Sequence, residues 1–242
     1  MTGPLEPPMV PERGDPEAQG LAMHAEPPAD SGDSPPNSRS RAQLLDWLER
    51  TVVLVAYAQM VYRLGATALE TGSLNSLLLL PSEGLVVALI LIRRPARECS
   101  TRWVDWCTAL AGTLLPTMVI ATGRAGFPAL TGFAVFLTFV GLVVQIHAKL
   151  SLGRSLGLVA ANRGICASGP YALVRHPMYL GYWLAQCAFL LAHRSLWNAV
   201  VLVASWVFQI LRIEAEERLL ARDPEYRDYQ RRVPYRLLPG VL

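Results

Sequence analysis

Apolar residues form six long runs in the second part of the chain, separated by short polar connections. A helix that crosses about 30 Å of hydrocarbon needs about 20 mostly apolar residues. The last two runs are shorter than this but are flanked by tyrosine and tryptophan, which favour the membrane boundary. The pattern predicts an all-α, polytopic transmembrane helical bundle of about six spans, followed by a short C-terminal cytoplasmic helical segment. The expected spans cover residues 44–64, 74–92, 103–123, 127–148, 177–192 and 195–212.

Residues 1–42 depart from this pattern, because they are polar, contain no apolar run and hold nine of the eighteen prolines. Such a composition buries too little apolar surface to offset the entropy lost on ordering. The segment also lacks the basic and then apolar order of a secretory signal peptide. We therefore predict a disordered, proline-rich polar tail over residues 1–42 and a membrane-embedded domain over residues 43–242.

The net charge of +3 is modest, but the basic residues are unevenly placed. The second and fourth connections and the C-terminal segment are rich in arginine, whereas the first, third and fifth connections hold one arginine each. By the positive-inside rule, this alternation predicts six crossings of the lipid bilayer with both termini in the cytoplasm. Arginine outnumbers lysine by twenty-one to one, which favours a high-GC bacterial source and hence a bacterial inner membrane.

Few polar residues interrupt the apolar runs. Glu83 is a functional candidate, because a carboxyl group inside a membrane is costly. Alternatively, Pro81 and Gly84 kink the helix and leave Glu83 protonated or bonded to a neighbouring helix. Gln145 and His147 end the fourth run and are candidates to line a site. The four cysteines are scattered without a C-x-x-C pair, so we expect no metal site, and we expect no nucleic-acid partner.

Two blocks near the C terminus carry unusual residue types. The first is S-G-P-Y-A-L-V-R-H-P-M-Y-L-G over residues 168–181, in which Pro177 suits the first position of a helix. This places Arg175 and His176 at the membrane boundary. The second is R-I-E-A-E-E-R-L-L over residues 212–220, in which residues 212 and 216 share one face of a helix.

Each block alone also has a purely structural interpretation. The first can be an interfacial anchor with a snorkelling arginine and a tyrosine at the headgroups. The second can be a solvated helix with ion pairs four residues apart. Because both blocks lie on the same predicted side and flank one helical hairpin, a functional site is favoured.

These blocks, together with L-G-R-S before them and Y-R-D-Y-Q-R-R-V-P-Y-R-L-L-P-G after them, resemble the isoprenylcysteine carboxyl methyltransferase family and the related phospholipid methyltransferases. The resemblance covers residues 149–242, which become the expected cofactor-binding part. It implies methyl transfer from S-adenosylmethionine, at the cytoplasmic membrane face, to a lipophilic or small-molecule acceptor from the bilayer. Two departures are Leu156, where a tryptophan is often found, and A-R-D-P-E-Y in place of F-G-x-x-Y.

The resemblance also implies roles for individual residues. Arg212 and Glu216 become the catalytic candidates, with Arg212 facing the acceptor, where a guanidinium can hold a carboxylate bidentately. A carboxylate acceptor is already ionised, whereas an amine would need a base, for which His176 or Glu216 is a candidate. The implied cofactor-binding residues are Arg163, Gly164, Ile165, Cys166, Tyr171, His176, Pro177, Met178, Tyr179 and Glu216.

Two other classes of protein stay open. An NADPH-dependent membrane reductase of the steroid-reductase type also has an H-P-x-Y-like block before a hairpin. It would carry more basic residues for the cofactor phosphates, and the E-E-R-L-L block favours the methyltransferase. A non-enzymatic transporter or structural protein would use Glu83 and would show paired broken helices in two halves, whereas the sequence indicates one such break.

Overall fold

The computed structural model describes residues 36–71, 74–120 and 128–240, and these form an all-α helical bundle, as predicted. Two short antiparallel strands, β1 (Glu98–Cys99) and β2 (Ala161–Asn162), pair Glu98 with Asn162 and Cys99 with Ala161. The helices are α1 (Pro36–Thr71), α2 (Leu74–Ile92), α3 (Trp103–Leu114), α4 (Pro128–Leu152), α5 (Pro177–Ala192), α6 (Leu196–Leu220) and α7 (Pro224–Arg232).

Each of the six apolar runs forms a helix, although some boundaries differ from the prediction. Helix α1 begins at Pro36, inside the segment predicted to be a disordered tail, and the rest of that prediction falls outside the described residues. Helix α3 ends at Leu114 and continues as a 3₁₀ turn over Leu115–Met118. Pro116 explains this early end, because proline removes a backbone donor and clashes with the preceding helical turn.

Helix length and composition support an integral membrane protein. Among the described residues, three stretches are long and apolar enough to cross a membrane, namely Gln43–Glu70, Leu130–Ser155 and Leu196–Leu220. Leu80–Ile92 is a shorter apolar helix. The sixteen residues of α5 span about 24 Å, which is less than the hydrocarbon thickness. The total of six crossings therefore stays a prediction.

Helices α4 and α5 form the most extensive pair of the bundle. Their backbones approach closely at two glycines: a Cβ atom added to Gly181 would lie 2.8 Å from the Gly141 carbonyl oxygen. Gln145 stabilises the same contact, since its side-chain amide donates to the Gly181 carbonyl oxygen at 3.1 Å. Helix α3 packs on α6, which in turn is joined to α5 by the three-residue connection 193–195.

Four buried charged side chains, here called the ion cluster, join α1 to two connections. Asp46 and Glu49 of α1 face Arg93 and Arg163, and no side chain of the four is more than 7% exposed. The Nη2 atom of Arg163 lies 2.8 Å from Asp46 and 2.5 Å from Glu49. The second Glu49 oxygen accepts the amide protons of residues 158 and 159. The ion cluster thereby holds the connection between α4 and α5 against α1.

Candidate active site

The first sequence block begins α5, and the end of the chain fixes its position. Pro177 occupies the first turn of α5, as the sequence predicts. Just before it, the backbone amides of Arg175 and His176 donate to the carbonyl oxygens of Tyr235 and Arg236 at 2.9 and 2.8 Å. The C-terminal segment therefore packs against the residues that immediately precede α5.

Glu216 on α6 links the two sequence blocks. Its Oε1 atom accepts hydrogen bonds from the Tyr179 hydroxyl at 2.5 Å and from Arg212 Nε at 3.2 Å. The Nη2 atom of Arg212 also donates to the Gly157 carbonyl oxygen at 3.1 Å, and the guanidinium lies 5.3 Å from the centre of the Tyr179 ring. Arg212 and Glu216 thus share one helix face, and their side chains are held in a single geometry.

The neighbouring Glu217 has a different set of partners. Its Oε1 atom lies 3.1 Å from His176 Nε2 and 2.8 Å from Arg175 Nε. Its Oε2 atom accepts from Arg236 of the C-terminal segment at 2.8 Å. His176 also approaches Glu216, with 3.9 Å between Nδ1 and Oε2. Glu217, which the sequence analysis did not single out, therefore orients the histidine and ties it to the end of the chain.

A small cavity of about 100 Å³ lies among these residues. Nine of the ten residues implied as cofactor-binding line it, and the tenth, Pro177, is buried at the start of α5 instead. Arg163 reaches the cavity although its guanidinium is paired in the ion cluster, and its buried Nε atom has no hydrogen-bond partner among the described residues. The nine are Arg163, Gly164, Ile165, Cys166, Tyr171, His176, Met178, Tyr179 and Glu216.

Tyrosines from separate segments close one side of the small cavity. Tyr229 of α7 donates its hydroxyl proton to the Tyr171 carbonyl oxygen at 2.7 Å. Burial raises the pKa of Tyr229 to about 12, so its hydroxyl keeps that proton at neutral pH. Gly164 on the opposite segment has a φ of +103°, a conformation that residues with a Cβ atom rarely adopt. The lining of the small cavity therefore depends on the hydrogen bond between Tyr229 and Tyr171 and on the positive φ of Gly164.

A second and much larger cavity, here called the chamber, has a volume of about 760 Å³ and lies between α1, α2, α3, α4, α5 and α6. Most of its lining is aliphatic or aromatic, and Arg212 lies in its wall. Gly157 and Met178 line both the chamber and the small cavity. The two cavities therefore meet at the Arg212–Glu216 pair, with Arg212 on the chamber side and Glu216 on the other.

The intramembrane polar candidates have distinct surroundings. Glu83 lines the chamber and forms an ion pair with Lys149 of α4, with 3.6 Å between Oε1 and Nζ. This ion pair links Glu83 to the neighbouring helix α4 without a hydrogen bond. Gln145 also lines the chamber, whereas His147 is exposed and lines neither cavity.

One family of known proteins matches a central part of the chain. The model of the isoprenylcysteine carboxyl methyltransferase family matches residues 130–222, which include most of α4, all of α5 and α6, and both sequence blocks. The match confirms the resemblance found in the sequence and supports the class of membrane methyltransferases. In sequence searches, no curated protein matches the chain.

Among solved structures, the chain is similar to the eukaryotic intramembrane Ras methyltransferase isoprenylcysteine carboxyl methyltransferase, determined without a monobody. The identity is 20% and the TM-score 0.44, over 78% of this chain and 75% of that one.

Proposed function

We propose that this protein is an integral membrane methyltransferase that transfers a methyl group from S-adenosylmethionine to a lipophilic acceptor. The observation that carries the proposal is the meeting of a small polar cavity and a large apolar chamber at Arg212 and Glu216. A water-soluble donor and a membrane-soluble acceptor need two binding sites of opposite character that share one contact point. Arg212 and Glu216 would form that point.

The residues of the small cavity fit the proposed donor chemically. Glu216 provides a negative charge for a cationic donor, and the orphaned Nε atom of Arg163 can donate to a carboxylate. Tyr171, Tyr226 and Tyr229 provide apolar ring surface. The volume of about 100 Å³ lies below the range of about 300–1,000 Å³ usual for ligand sites, so entry requires lining side chains to move apart.

The chamber fits a long apolar acceptor. Its volume of about 760 Å³ lies within the usual range for ligand sites. Its lining follows α5 from Met178 to Ala192, fifteen residues that correspond to about 22 Å of helix. An extended lipid chain can therefore occupy the chamber while its reactive end lies at Arg212. Because the guanidinium presents several donors in one plane, Arg212 is suited to orient a carboxylate acceptor.

Bound S-adenosylmethionine would supply an electrophilic methyl group on a sulfonium. The residues of this chain would contribute position: Arg212 holds the acceptor, Glu216 holds the donor side, and the hydrogen bond between them fixes their spacing. Holding two reactants in attack geometry can lower a barrier by about 7–11 kcal/mol. The apolar chamber also excludes water, which strengthens these electrostatic contacts.

We also propose that the small cavity faces the cytoplasm of a bacterial cell. The connection after α2 and the connection after α4 lie side by side, as the Arg94 amide donates to the Arg154 carbonyl oxygen at 2.8 Å. Both connections and the C-terminal segment are rich in arginine. The positive-inside rule places such connections in the cytoplasm. Tagging each terminus in a bacterial host and testing its access to protease in inverted vesicles checks this orientation.

The donor is tested by calorimetric binding of S-adenosylmethionine and its demethylated product to the full chain in detergent. Glu216→Gln is expected to weaken binding about tenfold to a hundredfold, because charge-assisted hydrogen bonds are worth about 1.5–3 kcal/mol. Glu214→Gln, an exposed carboxylate on the same helix, is the matched control and should bind normally. Stabilisation by NADPH, with no binding of either methyl-donor ligand, would overturn the proposal in favour of a reductase.

A further inference from the structure

The chamber contains a carboxylate, Glu83, that accepts no hydrogen bond from the part of the chain that the structure describes. Glu83 lies on α2 with 13% of its side chain exposed, and it is part of the chamber lining. Its one ion pair is to Lys149, at 3.6 Å, which is too long for a hydrogen bond. It makes no hydrogen bond to another described residue. An ionised carboxylate offers about four acceptor positions, so Glu83 presents free acceptors to the space that the lipid would fill.

Lys149 pairs with Glu83 but leaves it open to the chamber. Lys149 is the single lysine of the chain and is completely buried. Its ammonium group donates to the Ser82 hydroxyl at 2.7 Å and lies 5.6 Å from the centre of the Tyr182 ring. The lysine is absent from the chamber lining, whereas Glu83 is present. Lys149 therefore lies behind the wall of the chamber, whereas Glu83 faces the chamber.

Helix α5 contacts both this ion pair and Arg212, through two tyrosines that lie about one helical turn apart. On α5, Tyr179 contacts Arg212 and Glu216, and Tyr182 contacts Lys149. Three residues of helix correspond to a rise of about 4.5 Å. Tyr182, Glu83 and Arg212 all line the chamber. A molecule with its reactive atom at Arg212 and its apolar chain in the chamber therefore extends along a wall that includes Glu83.

We infer that Glu83 forms a recognition subsite for a hydrogen-bond donor in the acceptor, located in the chamber wall beyond Arg212. This inference rests on the proposed function and specifies its substrate class. The acceptor is an amphiphile whose head combines the reactive group with an N–H or O–H group, ahead of its apolar chain. An acceptor without that donor leaves the Glu83 oxygens desolvated and without a hydrogen bond, which is costly in a low-dielectric cavity.

The test compares two amphiphiles of equal length and charge. N-dodecanoyl-β-alanine carries a carboxylate and an amide N–H, and 3-(dodecanoyloxy)propanoic acid replaces that amide by an ester. Binding of each to the full chain in nanodiscs is measured by calorimetry, without any methyl donor. The wild-type protein is expected to bind the amide about tenfold more tightly than the ester, as one charge-assisted hydrogen bond predicts.

Two variants show whether Glu83 causes this preference. Glu83→Gln should reduce the amide-to-ester ratio, and the paired variant Glu83→Leu/Lys149→Met should bring it near one. The paired variant removes both charges together, so no buried ion is left uncompensated if the single variant fails to fold. Glu98→Gln, an exposed carboxylate on β1 that pairs with Arg222, is the control and should keep the wild-type ratio.

The inference is overturned if the wild-type protein binds both probes equally or binds neither. It is also overturned if the paired variant keeps the preference and only its thermal stability changes, since the ion pair would then serve to join α2 to α4. Donor binding is measured separately, so failure of the Glu83 subsite leaves the methyltransferase proposal standing. Loss of donor binding with a preserved amide preference would instead overturn the donor assignment.

Discussion

The small cavity and the chamber meet at one pair of residues but are built in opposite ways. The small cavity has about 100 Å³ and is lined by side chains with fixed polar partners, such as Tyr179, which is bonded to Glu216, and His176, which is bonded to Glu217. The chamber has about 760 Å³ and is lined mostly by aliphatic and aromatic side chains from six helices. We expect the small cavity to select its ligand by hydrogen-bonding geometry, and the chamber to select its ligand by volume and shape.

This difference explains why only one of the cavities was visible in the sequence. Hydrogen-bonding geometry demands particular residue types at particular spacings, so the small cavity leaves recognisable blocks over residues 168–181 and 212–220. An apolar wall accepts many combinations of leucine, valine, alanine and phenylalanine of similar volume. The chamber therefore leaves no motif, and its polar members, Glu83 and Gln145, stand out only as interruptions of apolar runs.

The largest expected effect is a loss of thermal stability when the ion cluster, which holds the connection between α4 and α5 against α1, is disrupted. Glu49→Gln leaves the buried guanidinium groups of Arg93 and Arg163 short of one negative charge and weakens the bonds to residues 158 and 159. Removing one partner of a buried ion pair typically costs about 3–5 kcal/mol. Thermal unfolding in detergent should show a large decrease in midpoint. Glu70→Gln, an exposed carboxylate near the end of α1, should unfold like the wild type.

The second expected effect is a loss of kcat without a loss of donor affinity, which distinguishes the role of Arg212 from that of Glu216. Arg212→Lys keeps a positive charge but cannot contact both Glu216 and the Gly157 carbonyl oxygen as the guanidinium does. For an acceptor that the wild type methylates, we expect kcat to fall about a hundredfold, or about 2.7 kcal/mol in barrier height. Donor affinity should change little. Arg218→Lys, further along α6, is the control, and an Arg212→Lys enzyme with wild-type kcat would refute the role assigned to Arg212.

The smallest expected effect is a rise in the KM for the acceptor when the chamber is partly filled. Ala56 lines the chamber from α1, whereas Ala58, two positions later, is exposed and does not line it. Ala56→Phe should fill part of the acceptor space and raise the KM for a long-chain acceptor about tenfold, since a displaced methylene or two costs about 1–3 kcal/mol. The Kd of the donor should stay constant. Equal KM values for Ala56→Phe and Ala58→Phe would mean that the acceptor binds elsewhere.

The sequence alone determined the elements and the local geometry of the candidate site. Runs of apolar residues produce helices in a membrane, because every backbone polar group must be satisfied within the segment. The proline at position 177 starts α5, and the spacing of Arg212 and Glu216 places them on one helix face. Both features depend on residues no more than a few positions apart, so the periodicity of the helix is enough to predict them.

Tertiary structure alone decided which distant residues complete the site. Glu49 binds the amide of Leu158 across 109 positions, and Arg212 reaches the Gly157 carbonyl oxygen across 55. Glu216 and Glu217 have different hydrogen-bond partners, and this difference likewise depends on how the C-terminal segment packs beside α5. No local pattern encodes these pairings. They arise because buried charges and backbone groups must find partners, and only the packing of the helices determines which partners are within reach.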